Sequence, residues 1–415
     1  MFCFFKHFTY VVFLYLIIGR LSAINVSWSA ETRLKIENYH DDTTSTSATA
    51  SYFRGRINID LTSNIYKTYI QLQDSRLLGN QSNYAGQSEQ DQTHPTFYQF
   101  YGQVNGPFNG KNKMRFGRFE MALGNQRLFG KSGWGNYGRS FEGITNERKT
   151  KRGDILFFHL INTELYPMND QFDYIIDGFY GTVKPNIFTD IKKESIDSNN
   201  NKPISKPMHL DYYLFNENIV VSSGENTKKR QTLGLRVVKT FSKFNIESEF
   251  AYQTGKHYLD NIQASLFSIN IETPTSFIPL TESISITKEY ISGNKYQLGK
   301  NDGVLSGFAK PFGSGHSFHG YYDNPLHKTF ANNSHAGLNE SYIKTKHSLF
   351  SKIDLVIKYH SFKDAINVND YGNELDFVLT KKLPLGGKII QGYSIYFPKS
   401  GKKLNAGYFM VLFNI

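Results

Sequence analysis

From Trp28 to Ile415 the chain consists of stretches in which apolar and polar side chains alternate, each about ten residues long, the length of a tilted membrane strand. Within Tyr52–Leu61, Phe53, Ile57 and Ile59 fall on one parity and Arg54, Arg56, Asn58 and Asp60 on the other. Side chains on a strand point alternately to opposite faces, so such a segment has one apolar and one charged face. A soluble sandwich buries the apolar face. A membrane barrel turns it to lipid and keeps the charged face in a wet lumen.

Between turn signals the alternation predicts strands at 28–38, 48–60, 65–74, 96–105, 112–120, 139–148, 154–164, 172–183 and 207–217. The second half adds 230–240, 244–255, 262–271, 283–292, 336–346, 351–361, 371–381, 387–397 and 403–413. The predicted fold is all-β, a transmembrane antiparallel up-and-down barrel of about 18 strands, an even number that returns both ends to one rim. Such barrels alternate short and long connections. Here 61–64, 106–111, 149–153, 241–243, 347–350 and 382–386 are short, while 39–47, 75–95, 121–138, 165–171 and 293–335 lie in the alternate positions. The links 184–206 and 272–282 break this parity. The polar stretches 77–95 and 192–206 read as solvated loops, and the sequence assigns no gate among 77–95, 184–206 and 293–335.

The first residues form an export leader: Lys6 and His7, an apolar run Phe8–Ile18, and a small-residue cleavage site at Leu21-Ser22-Ala23. The run falls short of the ~20 residues that span a bilayer. The expected division is a cleaved leader at 1–23 and a single barrel domain at 24–415. Cleavage removes Cys3, the only cysteine, and with it disulfides, cysteine metal sites and thiol nucleophiles. Aromatics make up 15% of the chain, with 34 Phe and 27 Tyr against 2 Trp, a supply suited to girdles at two membrane interfaces. Without Lys6 and Arg20 the chain has 45 basic and 36 acidic residues, a charge of +9. The basic residues are spread along strands at alternate positions, which points to a basic lumen and not to nucleic acid.

One block departs from plain alternation: Arg115-Phe-Gly-Arg118-Phe-Glu120, then Gly124-Asn-Gln-Arg127-Leu-Phe-Gly130, then Trp134-Gly-Asn136-Tyr-Gly-Arg139-Ser-Phe141-Glu-Gly143. Glycines and arginines in this density suggest a folded loop tied back onto the wall, since the guanidinium fork holds carboxylates or carbonyls bidentately. The block resembles the alginate-export (AlgE-like) family of outer-membrane porins. Further similar pieces follow in order: Gln71-Leu-Gln-Asp74-Ser-Arg76, Gly313–Asp323, Gly337-Leu338-Asn339, Tyr359-His360-Ser361-Phe362, Gly372–Thr380 and Gly392-Tyr393-Ser394. The resemblance implies a monomeric eighteen-stranded porin with an arginine-rich lumen for an anionic polysaccharide, and carries Asp74, Arg76, Arg118, Arg127 and Arg139 over as lumen residues. Strand parity alone adds Arg33, Lys35, Arg54, Arg56 and Arg236, with Glu247, Glu249, Glu374 and Asp376 as counter-charges. Arg127 and Arg139, among glycines, suit pinning the loop; Arg54 and Arg56 suit a permeation ladder. The solute does not transfer with the fold.

Two rival classes remain, an outer-membrane barrel enzyme hydrolysing lipid or peptide and a non-conducting structural or adhesive barrel. No nucleophile elbow, H-E-x-x-H or calcium loop occurs, so no catalytic residue and no cofactor is assigned. His316-x-x-His319, with His327 and His335 nearby, is the best metal candidate, but no third-ligand pattern follows it and no metal is assigned. An adhesive barrel predicts a lumen filled by large side chains, whereas the polar face here is charged or small. The sequence therefore predicts a bacterial outer-membrane channel passing an anionic or polar solute. Its expected partners are outer-membrane lipid and lipopolysaccharide, the barrel-assembly machinery and the solute.

Overall fold

The computed structural model describes residues 24–41, 46–79, 94–106, 111–162, 172–183, 208–221, 226–241, 243–275, 278–295, 299, 302–322, 333–366 and 369–415. The expected leader therefore lies outside the described residues, as does the link 184–206. The strands are β1 (Asn25–Asp41), β2 (Thr46–Thr62), β3 (Tyr66–Leu78), β4 (Thr96–Asn105), β5 (Asn112–Phe119), β6 (Phe141–Thr150) and β7 (Gly153–Asn162). They continue with β8 (Phe172–Val183), β9 (His209–Val221), β10 (Asn226–Thr240), β11 (Asn245–His257), β12 (Asp260–Pro274) and β13 (Thr281–Ile291). After the two-residue β14 (Val304–Leu305) come β15 (Leu338–Leu349), β16 (Ile353–Lys363), β17 (Asp370–Lys382), β18 (Lys388–Phe397) and β19 (Leu404–Asn414).

Each wall strand pairs antiparallel with its neighbours in sequence, β13 pairing with β15 across β14, and β19 pairs back onto β1. Setting aside β14, which lies alongside β12, the result is a closed antiparallel barrel of eighteen strands. Closure satisfies every edge, the condition for strands to cross a membrane. Every stretch selected by alternation lies on one of these strands. The link 272–282 shortens to 275–280 because β12 and β13 run on past the sequence estimate, and it becomes a tight turn closed by Thr275 N–H donating to Glu282 O.

The outer face bears Ile57, Phe100, Phe116, Phe157, Phe250, Ile286 and Ile343, all well exposed as a lipid-facing wall requires. The interior corrects one expectation. Between β6 and β13 it is only partly polar: Phe141, Phe158, Leu160, Ile176, Phe215, Ala251, Ala264 and Leu266 point inward and are buried beside the inward charges of Asp211, Glu217, Arg230, Glu249 and Glu289. Two segments from one rim enter the lumen here, the β5–β6 insert (120–140) and, of the β13–β15 insert, the described residues 292–295, 302–322 and 333–337. They meet at a parallel bridge between Phe129 and Phe312, and Gly130 N–H donates to Phe312 O at 2.7 Å. Phe129 lies 5.0–6.0 Å from the rings of Phe141, Phe158, Phe215 and Phe312. Each such aromatic pair adds about 0.5–1.5 kcal/mol beyond burial. The barrel thus encloses an apolar cluster that shares its flank with buried ion pairs, while the inward face of β1–β3 is mainly polar.

Candidate functional site

The polar flank begins on β1 and β2, where period-two alternation turns Arg33, Lys35, Glu37, Tyr52, Arg54 and Arg56 inward, all buried. Arg33 donates from Nη1 to Gly133 O (2.9 Å) and from Nη2 to Gly135 O (2.8 Å) and Asn136 Oδ1 (3.2 Å). Lys35 donates to Trp134 O at 3.2 Å and lies 4.3 Å above the Trp134 ring. Arg54 forks onto Glu31 Oε1 and reaches Gly135 O at 3.3 Å. These three basic residues therefore grip the first insert's backbone. Gly138 makes the close approach possible: its φ of +88° suits glycine, and a Cβ there would run into the Tyr98 hydroxyl.

Arg56 differs. Its Nε donates to Gln73 Oε1 (2.7 Å), its guanidinium stacks 4.4 Å from the Tyr98 ring, and Nη2 has no hydrogen-bond partner. Arg115 on β5 stacks over Tyr101 (4.8 Å) and Phe119 (5.2 Å), again with an unpartnered Nε. Tyr69 and Tyr101 pack together at 5.3 Å, and Lys131, largely exposed, faces Glu120 at 3.6 Å. Sequence reasoning passed over Arg115 although it stands in the arginine-rich block; its parity, opposite to Phe116, was the available signal. A bulge between β3 and β4 turns both Tyr98 and Gln99 inward, and Gln99 Oε1 accepts the Glu120 N–H at 2.9 Å. Alternation cannot reveal such a break in register.

Across the lumen lies a buried charge cluster. Arg127 of the first insert pairs with Glu289 (β13) and lies 3.5 Å from Glu249 (β11). Burial works against its charge, but Glu289 and Glu249 outweigh that and hold the guanidinium above its usual pKa. Lys310 of the second insert lies 3.4 Å from Glu289 and 2.6 Å from His319 Nε2. Burial keeps its ammonium below the ordinary lysine pKa despite Glu289. His319 Nδ1 faces Glu340 (2.7 Å), Glu340 faces His360 Nδ1 (2.6 Å), and His360 Nε2 faces Asp376 (3.4 Å). Glu374 accepts the Tyr322 N–H at 2.8 Å, and Gly320, at φ +88°, leaves room for its carboxylate. Ligand atoms of Glu289, His319 and Glu340 lie within 4.8 Å of one another, a metal-capable spacing, but the Lys310 ammonium already sits against two of them. His316 instead stacks on Trp134 at 3.6 Å, joining the two inserts, and His327 lies outside the described residues.

Of the remaining sequence-stated positions, Arg236 pairs inside the barrel with Asp211 (2.6 Å) and Glu247 (2.9 Å). Arg139 Nη1 donates to Gly130 O and Phe312 O at 3.1 and 2.8 Å and so ties one insert to the other. Three positions are corrected. Asp74 and Arg76 share the outward parity of Leu72, opposite to buried Gln71, Gln73 and Ser75, and pair with each other at 2.8 Å on the outer wall. Arg118 shares the outward parity of Phe116 and pairs there with Glu142. None of the three lines the lumen.

His335 in the second insert tests the plug. Its Nε2 faces Phe308 O at 2.9 Å and its Nδ1 accepts the Gly337 N–H at 2.9 Å. Burial pushes its pKa down to about 4 from 6.5. Below pH 6.5 the unfolded insert takes up a proton that the folded one refuses, so docking weakens as pH falls toward 4 and is at full strength above 6.5. The loss is on the order of 3 kcal/mol. Limited proteolysis of the second insert should accelerate between pH 7 and pH 4.5, and His335→Gln should flatten that dependence.

A family model described as alginate export matches residues 26–373. No curated protein sequence matches the chain. Among solved structures, OccAB4 of Acinetobacter baumannii superposes with a TM-score of 0.62 at 12% identity, covering 94% of this chain and 98% of that one. OccK9 (OpdG) of Pseudomonas aeruginosa gives 0.61 at 9% identity, with 94% and 98% covered. OpdL of the same organism gives 0.59 at 9%, with 94% and 99% covered. At these identities the likeness shows the barrel fold alone.

Proposed function

The chain belongs to the alginate-export family of outer-membrane channels, and from that premise we propose that it passes an anionic solute, small or polymeric, by diffusion along the basic flank of its lumen. The observation that carries this reading is the division of basic residues into two sets. Arg33, Lys35, Arg54, Arg127 and Arg139 are spent on insert backbone or buried carboxylates. Arg56 and Arg115 bond neither insert backbone nor a fully buried carboxylate: they stack on tyrosines, and Arg56 shares the part-exposed Glu120, 3.6 Å away, with the more exposed Lys131. Basic side chains along a narrow wet path replace part of an anion's lost hydration, and tyrosine faces offer a wall along which a sugar or other planar solute can slide.

The apolar core on the β6–β13 flank supports a narrowed passage and not a wide porin. A hydrolase is less well supported: His319 and His360 face carboxylates and His335 faces backbone. Refolded protein in planar bilayers should give discrete conductance steps, and a salt gradient should give a reversal potential on the anion side. Silence at all voltages, or a cation-side reversal, would refute the proposal.

A further inference from the structure

Asp74, Arg76 and Arg118 fit no lumen role, because the wall turns them outward. Arg118 is the penultimate residue of β5, which runs straight into the first insert, so it sits at the insert rim. Long loops face outward in these membranes, so this rim is the external one. On the outer wall Phe97 lies nearer the rim than Arg118, Phe100 stands opposite it and Phe116 lies two residues deeper, each about half exposed, as aromatics at a membrane interface are. Around Arg118 is a recess of about 420 Å³ lined by Phe97, Phe100, Gly117, Arg118, Glu142 and Gly143. The glycines face each other across β5 and β6 and add no side chain to fill it.

Exposed ion pairs contribute only about 0–1 kcal/mol to stability, so a rim pair by itself is unremarkable. Here its geometry matters. Arg118 Nε donates to Glu142 at 2.9 Å, Nη2 also donates to Glu142, and Nη1 donates to Phe97 O at 3.3 Å. A guanidinium has two N–H on each terminal nitrogen, so one remains on Nη1 and one on Nη2, a fork suited to two oxygens of a phosphate. On the same outer face Arg76 pairs with Asp74, and His159 with Asp177 at 2.6 Å.

We propose that this recess binds a phosphorylated glycolipid of the external leaflet, with a headgroup phosphate on the Arg118 fork and an acyl chain running inward past Phe100 and Phe116. The proposal rests on the outer-membrane setting of the barrel and not on the channel reading. Full-length protein in nanodiscs containing bis-phosphorylated lipid A should retain the lipid in native mass spectrometry. The paired variant R118Q/E142Q, which leaves no unpaired charge, should retain about fivefold less, as should wild type offered dephosphorylated lipid A. If the paired variant fails to fold, F100A tests the same recess from its apolar side and should show the same loss. Retention undiminished in the folded variant, or equal for the dephosphorylated lipid, overturns the proposal. Conductance of the paired variant should match wild type, which separates failure here from failure of the channel reading.

Discussion

Replacing Arg127 by methionine should loosen the first insert by about 3 kcal/mol, because it leaves buried carboxylates without their cation. Glu249 and Glu289 have side chains 5% and 0% exposed, and both lie within 4 Å of the guanidinium. Lys310 still covers Glu289, so the loss falls mainly on Glu249. The insert's other ties, from Arg33, Lys35 and Arg139, persist, so the wall should fold normally while segment 120–140 exchanges its amide hydrogens faster. Bilayer recordings should show more open-state noise. Adding Glu249→Gln should restore most of the protection, since it neutralises the carboxylate left unpaired while Glu289 keeps Lys310 as its cation. Unchanged exchange in the single variant would mean that the cluster does not hold the insert.

The second large effect concerns selectivity. Charge reversal at Arg56 and Arg115 together should move the reversal potential from the anion to the cation side. Arg56 also donates to Gln73 and lies 3.6 Å from Glu120, but the insert's backbone is tied by Arg33, Lys35, Arg54 and Arg139, so the substitution leaves most of its anchorage in place. At 4 Å a like or unlike charge is worth roughly 1–4 kcal/mol between bulk water and a near-surface environment, enough to invert the preference for a monovalent ion. Arg33→Ala is the contrast: it removes four hydrogen bonds to the first insert and should alter loop protection more than selectivity. A double reversal that left anion preference intact would place the passage elsewhere in the barrel.

The wall was legible in the sequence because lipid enforces a period of two on one face, which runs along most strands and is broken on β4 by its bulge. The interior follows a different rule. Phe119, Phe141 and Phe158 point inward to meet Phe129 and Phe312, so apolar character does not mark the lipid face everywhere, and β5–β7 carry a mixed pattern. The misplacement of Asp74, Arg76 and Arg118 has a related cause. A motif specifies residue type and spacing, whereas the side a residue faces depends on counting from a buried neighbour such as Ser75 or Phe119. Contacts such as Arg127 with Glu289, 162 positions apart, depend on how the inserts fold inside the lumen, and no local pattern encodes that.

The seam between β1 and β19 has a consequence for biogenesis. Ala30 and Ile415 exchange reciprocal backbone hydrogen bonds at 2.9 Å, and the register runs from Glu31 opposite Asn414 to Asp41 opposite Leu404. The first strand synthesised therefore waits for the last before its outer edge is satisfied. A chain cut short within β19 presents two open edges to the hydrocarbon, each unpaired backbone group costing several kcal/mol. The fold thus has an end-to-end proofreading property: only a chain translated and exported through its final strand can close, and an incomplete one is left exposed to whatever degrades unfinished barrels.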